Sequence, residues 1–176
     1  NSPPTGTPAP RPDAEAVATV AFALSGVIEG ARKRLDAVGI CVVGGLAAFG
    51  GGTVRDVLLG ALPVFWVTGP GHLVTCVLVS AATFFLAHIP QSRYRLLLWF
   101  DAIGLSLFAV VGADRALEVV ANPIVAVVMG VVTATFGGII RDILGGEVPV
   151  LLRKEIYVTA ALAGAAVYVG GRTLGI

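Results

Sequence analysis

Gly51-Gly52-Thr53-Val54-Arg55-Asp56 returns 86 residues later as Gly137-Gly138-Ile139-Ile140-Arg141-Asp142. The register holds in both directions without a gap. Upstream, Phe22-Ala23 and Gly26 fall on Phe108-Ala109 and Gly112, Gly44 and Ala48 on Gly130 and Ala134, and Glu15-Ala16 on Asp101-Ala102. Downstream, Leu58, Gly60 and Pro63-Val64 fall on Leu144, Gly146 and Pro149-Val150. One half of the chain is a second copy of the other.

The solvent of this duplicated chain is lipid. Of its 176 residues 56% are apolar and only 13% charged, with a mean hydropathy of +0.91, whereas a water-soluble domain carries about 25% charge to wet its surface. The same numbers exclude disordered, collagenous and cystine-framed classes. A net charge of +1 leaves no clustered excess of Lys and Arg to neutralise phosphates, so nucleic acid is excluded as a partner. Cys41 and Cys76 both lie in apolar runs, fit neither a metal-ligand spacing nor a disulfide framework, and read as packing residues.

Apolar stretches of roughly the ~20-residue length that crosses a hydrocarbon core cover 14–31, 38–59, 73–89, 96–111, 123–144 and 156–169. That makes an all-α integral membrane fold of six spans. Residues 1–13 read as a disordered tail, 14–90 as a first three-helix repeat and 91–176 as a second. Polar breaks separate the spans, among them 114–122, and Asp36 and Asn122 stand where a side-chain oxygen caps a helix start. Trp66, Tyr94, Trp99 and Tyr157 lie near span ends, as an aromatic belt places them. Because three is odd, the second repeat enters the bilayer from the opposite side, giving inverted repeats about a pseudo-twofold axis in the membrane plane. Arg32, Lys33, Arg34, Arg93, Arg95, Arg153 and Lys154 gather on one side and Arg11, Arg115 and Arg172 on the other. The richer side is expected to be cytoplasmic and the N-terminus outside.

Gly50-Gly51-Gly52 lies two-thirds along the second span, and Gly137-Gly138 takes the matching place in the fifth. Each glycine costs about 1 kcal/mol relative to Ala in a helix interior, so the runs are expected to kink or break both helices. In lipid an opened backbone is tolerated only where it is buried in protein or faces water. The freed carbonyls of Ala47, Ala48, Phe49, Ala134 and Thr135, with the hydroxyls of Thr53, Thr133 and Thr135, would suit a cation. The competing reading is close helix packing, since Gly44/Ala48/Gly52 and Gly130/Ala134/Gly138 have small-xxx-small spacing. Packing is the preferred reading for Gly26 and Gly30.

Arg55-Asp56 and Arg141-Asp142 are ionisable residues within spans, either lining or gating a path or pinning the helices as structural ion pairs. A pairing of Arg55 with Asp142 is disfavoured because about 10 Å of helix rise separates their levels. Helix neighbours i and i+1 do not face each other, so the first motif is expected to meet Glu118 or Asp114, and the second Asp36 or the Arg32–Arg34 cluster. Glu15 and Asp101 read as acids at helix starts, and His72 and His88 as interfacial. The sequence holds no set of nucleophile, base and orienter, no phosphate loop and no metal-ligand spacing, so neither an enzyme nor a cofactor is expected.

The repeated Gly-Gly-x-x-Arg-Asp, with Phe-Ala-x-x-Gly from Phe22 and its partner Phe-Ala-Val-Val-Gly from Phe108, resembles the prokaryotic relatives of the trimeric intracellular cation (TRIC) channels. Bacterial sequences of this kind are also classed as glycine transporters. The resemblance covers nearly everything after the tail. It implies a homotrimer in the prokaryotic inner membrane, surrounded by lipid, in which every subunit has a pore conducting monovalent cations such as K⁺ or Na⁺. Carried over by position, Gly50, Gly51 and Gly52 with Gly137 and Gly138 form kinks in the second and fifth helices, and Arg55, Asp56, Arg141 and Asp142 are charged pore or gating candidates. Animal members have a pore lysine after the fifth-helix kink, which makes Lys154 a candidate counterpart. Two departures stand out: family members look like seven-helix proteins, so a seventh helix is missing or cut away here, and Phe136 replaces a glycine in the second copy. The functions this leaves open are a K⁺ channel, a secondary transporter of glycine or another small zwitterion, and a purely structural scaffold.

Overall fold

Asp36 and Asn122 start the two glycine-bearing helices, α2 (Ala37–Leu59) and α6 (Pro123–Leu144). Asp36 accepts a hydrogen bond from the Gly39 amide at 2.7 Å, and Asn122 accepts from the amides of Ile124 and Val125 at 3.0 and 3.3 Å. Both caps satisfy amides that a helix start leaves without a partner. Asn122→Ala is expected to cost about 1 kcal/mol, read as a lower thermal midpoint in detergent. An unchanged midpoint would mean that other contacts hold this turn. The two helices also end alike: Gly60 and Gly146 adopt φ of 67° and 70°, a left-handed conformation that only glycine enters at no steric cost. Behind them the amides of Ala61 and Glu147 reach back to the carbonyls of Asp56 and Asp142, at 2.8 and 2.9 Å.

The computed structural model describes residues 12–86 and 94–175. Its other helices are α1 (Pro12–Arg32), α3 (Phe65–Thr68), α4 (Gly71–Leu86), α5 (Tyr94–Val120), α7 (Val150–Arg153) and α8 (Glu155–Leu174). The order long, long, short, long therefore occurs twice. The six long helices coincide with the six expected spans, and 13–32, 37–59, 94–120 and 123–144 are each long and apolar enough to cross a membrane on that ground alone. Residues 1–11 of the expected tail lie outside the described residues, as do His88 and the end of the third span. Pro12 and Asp13, assigned to that tail, form the first turn of α1.

Helices α1, α2, α5 and α6 form the centre, with α4 against α1 and α2, and α8 against α5 and α6. Two reciprocal contacts define how the halves meet. A Cβ on Gly51 would collide with the Thr133 carbonyl, and one on Gly137 with the Ala47 carbonyl. As numbers rise from 47 to 51 along α2, the facing residues fall from 137 to 133, so the helices cross antiparallel and the repeats are inverted. Phe22 and its repeat partner Phe108 stack beside this crossing, with ring centroids 5.5 Å apart.

Two expectations need correction. The sequence reads 114–122 as a break, but α5 continues to Val120. Its charges do not end the helix because they are paired: Arg172 donates to Asp114 at 2.7 Å, and Arg115 to Glu118 one turn on at 2.9 Å. At 27 residues, or about 40 Å, α5 has the length to carry that charged end clear of a ~30 Å hydrocarbon core. The glycine runs, second, do not break α2 or α6, both of which are continuous helices through them. There Gly51 and Gly137 permit contact between backbones, as close packing requires.

Candidate functional site

The Arg-Asp motifs make two clamps, one at each end of the α2–α6 crossing. In the first, Arg55 Nε and Nη2 both bind Asp56 Oδ1, at 2.8 and 2.7 Å, and the guanidinium lies 5.7 Å from the Phe65 ring centroid. Asp56 Oδ2 accepts from the Phe65 amide at 2.8 Å, tying the pair to the start of α3. The second repeats this: Arg141 Nε and Nη2 bind Asp142 Oδ1 at 2.8 and 2.7 Å, while Asp142 Oδ2 accepts from the Val150 amide of α7 at 2.8 Å. Both arginine side chains are fully buried, at 1% and 0% exposure.

Beyond that shared frame the clamps differ. Arg141 Nη1 donates to Asp101 at 2.5 Å and to Ser25 at 3.0 Å, and Nη2 also lies 3.4 Å from Asp101. Every nitrogen is used, and only about 10 Å³ of space remains beside it. Glu15 occupies the position of Asp101 in the first repeat but lies 3.9 Å from Arg55. The counterpart of Ser25 is Val111, which cannot accept, and Arg55 Nη1 has no hydrogen-bond partner among the described residues. It borders a cavity of about 470 Å³ shared with Glu15, His72, Val111 and Arg115. One clamp is locked and the other opens on space.

A second polar cavity, of about 250 Å³, lies at the Arg141 end, walled by Glu29, Arg32, Tyr94, Asp142, Glu147 and Arg153. Lys33 donates to Glu147 at 2.6 Å, and the ammonium holds that carboxyl below the usual carboxylate range. An apolar cavity of about 530 Å³ between α2 and α4 has no charged residue in its lining. The polar cavities thus sit at opposite ends of the crossing made by Gly51 and Gly137.

A family model described as "Glycine transporter" matches this chain twice, over residues 14–88 and 98–173, once for each repeat. The UPF0126 inner membrane protein YadS of Escherichia coli is 43% identical over 156 residues, which is 86% of this chain and 74% of that protein. Among solved structures, a TRIC trimeric intracellular cation channel orthologue from Rhodobacter sphaeroides is 53% identical, with a TM-score of 0.89 over 93% of this chain and 84% of that one. The chain belongs to the TRIC channel family. A further prokaryotic TRIC channel is 33% identical, with a TM-score of 0.86 over 91% of this chain and 82% of that one. TRIC proteins are membrane channels, not enzymes.

Within this TRIC chain the site residues named from the sequence fall into three groups. Gly51 and Gly137 make the crossing, while Gly50 faces the Ile140 side chain, Gly52 faces Phe65, and Gly138 stands near Arg141 and Asp101. The threonine hydroxyls turn back on their own helices: Thr53 to the Phe49 carbonyl, Thr133 to Met129 and Thr135 to Val131, at 2.7, 2.6 and 2.7 Å. Lys154 is exposed at the joint between α7 and α8, with its amide on the Val150 carbonyl.

The charge pairing expected from the sequence is corrected. Arg55 meets neither Glu118 nor Asp114, and Arg141-Asp142 meets neither Asp36 nor the 32–34 cluster. Each arginine folds back on the aspartate beside it and faces the repeat-equivalent acid of the preceding helix; Glu15 stands in the first turn of α1, as expected, whereas Asp101 lies two turns into α5 and is a clamp partner instead of a helix-start acid. The signal was in the register, which sets Glu15 on Asp101 as it sets Arg55 on Arg141.

Proposed function

We propose that this protein is a monovalent-cation channel, selective for K⁺, with a path inside each subunit of a homotrimer. The path runs along the glycine-bearing helices α2 and α6, bent at Gly50–Gly52 and Gly137–Gly138, from the Arg55 cavity to the Arg141 cavity. The observation that carries this reading is the 53% identity and near-complete structural overlap with a TRIC cation channel orthologue. The two polar cavities on either side of the crossing support it. In the conformation described the path is closed, because the backbones touch at Gly51 and Gly137. Conduction requires α2 and α6 to part there, and glycine leaves the thinnest wall to move. The basic loops support a cytoplasmic Arg141 end in a prokaryotic inner membrane, with the N-terminus outside. The Arg-Asp clamps then act as fixed charges at the two mouths, and Lys154 contributes to the basic rim of the inner one.

The description of the matching family model favours a second reading, a carrier for glycine or another small zwitterion, with the sealed crossing separating two alternately open cavities. Planar bilayers decide between them. Purified full-length protein is expected to give unitary currents whose reversal potential follows the K⁺ gradient. Saturable glycine uptake into liposomes with no unitary currents would replace the channel by the carrier.

A further inference from the structure

We infer that Glu29 and the C-terminal end of α6 form a binding site for one monovalent cation in the Arg141 cavity. Its place in a conduction path rests on the channel reading above; the site itself does not. Glu29 is 2% exposed. Its Oε2 takes Arg32 Nη1 at 2.6 Å, and its Oε1 has no hydrogen-bond partner among the described residues. A buried carboxylate oxygen left without a partner is costly, so beside the Arg32 ion pair this oxygen still calls for a donor or a cation.

The space beside that oxygen is kept open by a glycine. A Cβ on Gly145 would stand 2.8 Å from Glu29 Oε1 and 3.4 Å from the Asp142 carbonyl oxygen. Gly145 has φ −74° and ψ −4°, a conformation open to any residue, so its missing side chain serves room and not backbone shape. The Asp142 carbonyl accepts one hydrogen bond, from the Glu147 amide, and keeps a lone pair. It belongs to the last turn of α6, where the helix dipole presents negative charge. A carboxylate oxygen and a helix-end carbonyl therefore flank one gap that opens on the 250 Å³ cavity.

The charge count sets the valence. Asp142 is committed through both oxygens, to Arg141 and to the Val150 amide. Glu147 is committed to Lys33, with Arg153 at 3.8 Å. Glu29 Oε1 is the one uncommitted carboxylate oxygen among these groups. Hard oxygen donors with a single free anionic atom suit one alkali cation, since divalent sites recruit several carboxylates.

The other repeat is an internal control. Asp56 and the Gly60 turn reproduce Asp142 and the Gly146 turn, but Arg115 stands in place of Glu29 and Leu59 in place of Gly145. The shared fold demands neither the acid nor the gap, and both occur at one end only.

Rb⁺ is the probe. In crystals of the full-length protein soaked in RbCl, an anomalous peak is expected within ~3 Å of Glu29 Oε1 and the Asp142 carbonyl. In detergent, K⁺ in place of N-methylglucamine is expected to raise the thermal midpoint of the native protein and of Glu155→Gln, but not of Glu29→Gln. Should Glu29→Gln fail to fold, Gly145→Ala keeps the charge, fills the gap and is expected to lose the same K⁺ effect. In bilayers, Glu29→Gln is expected to raise the half-saturating K⁺ concentration from the Arg141 side alone. An Rb⁺ map without a peak at Glu29, or an undiminished K⁺ shift in Glu29→Gln or Gly145→Ala, overturns the site. If no currents appear while the Rb⁺ peak does, the channel reading fails and the site stands.

Discussion

Arg141→Met is expected to destabilise the protein by about 3–5 kcal/mol, the cost of removing one partner from a buried ion pair, and Arg55→Met by clearly less. Arg141 touches Asp142, Asp101 and Ser25 with no nitrogen left over. Without it two buried carboxylates lose their counter-charge, and the nearby space of about 10 Å³ has room for about one water in its place. Arg55 holds Asp56 firmly but Glu15 only at 3.9 Å, and Glu15 is already 19% exposed beside a cavity wide enough for water. Its removal leaves acids that water can reach. The thermal midpoints of both variants in one detergent check this, together with the monodisperse fraction on size exclusion. Equal losses, or a larger one at Arg55, would mean that the difference between the clamps has no energetic weight.

Gly51→Ala and Gly137→Ala are expected to lower stability by about 1–3 kcal/mol each, in the range of overpacked cores or somewhat above it. The atom that each new methyl would strike is a main-chain carbonyl oxygen, of Thr133 or of Ala47, and such an atom cannot rotate away. The helices must separate instead. Since one separation relieves both collisions, the double variant should cost less than the sum of the singles. Gly164→Ala is the control: nothing lies within 4 Å of its new methyl, and better helix propensity should make it neutral or stabilising. Differential scanning fluorimetry gives all four midpoints. A neutral Gly51→Ala would mean that the crossing is looser than described.

The fold was legible because duplication is a relation within one sequence: an 86-residue offset and an odd number of spans already require inversion. The glycine runs were harder to read, since a glycine that permits a bend and a glycine that permits contact look the same in a sequence. Only the facing carbonyls show that Gly51 and Gly137 make contact. The pairing of Arg55 and Arg141 was misjudged because side chains at i and i+1 leave a helix in different directions. A guanidinium on a long stem nonetheless reaches back to its neighbour, and Phe65 or Val150 fixes that aspartate through a backbone amide. Glu29 gave no signal by repeat comparison because its counterpart is Arg115. Sites placed where the copies diverge are hidden from a search for what they share.

The crossing at Gly51 and Gly137 also bears on how such a chain could arise. Each glycine packs on a main-chain carbonyl four residues before the other glycine in the repeat register, and it does so whether the residue there is Ala47 or Thr133. The contact is blind to side-chain identity, so the surface of one half is complementary to itself. Two separate copies of the first 86-residue unit, inserted in opposite directions, could make both contacts. Fusion would then have fixed the stoichiometry of an existing antiparallel dimer, and it freed each copy to change alone, as Ser25 and Val111, or Glu29 and Arg115, have done.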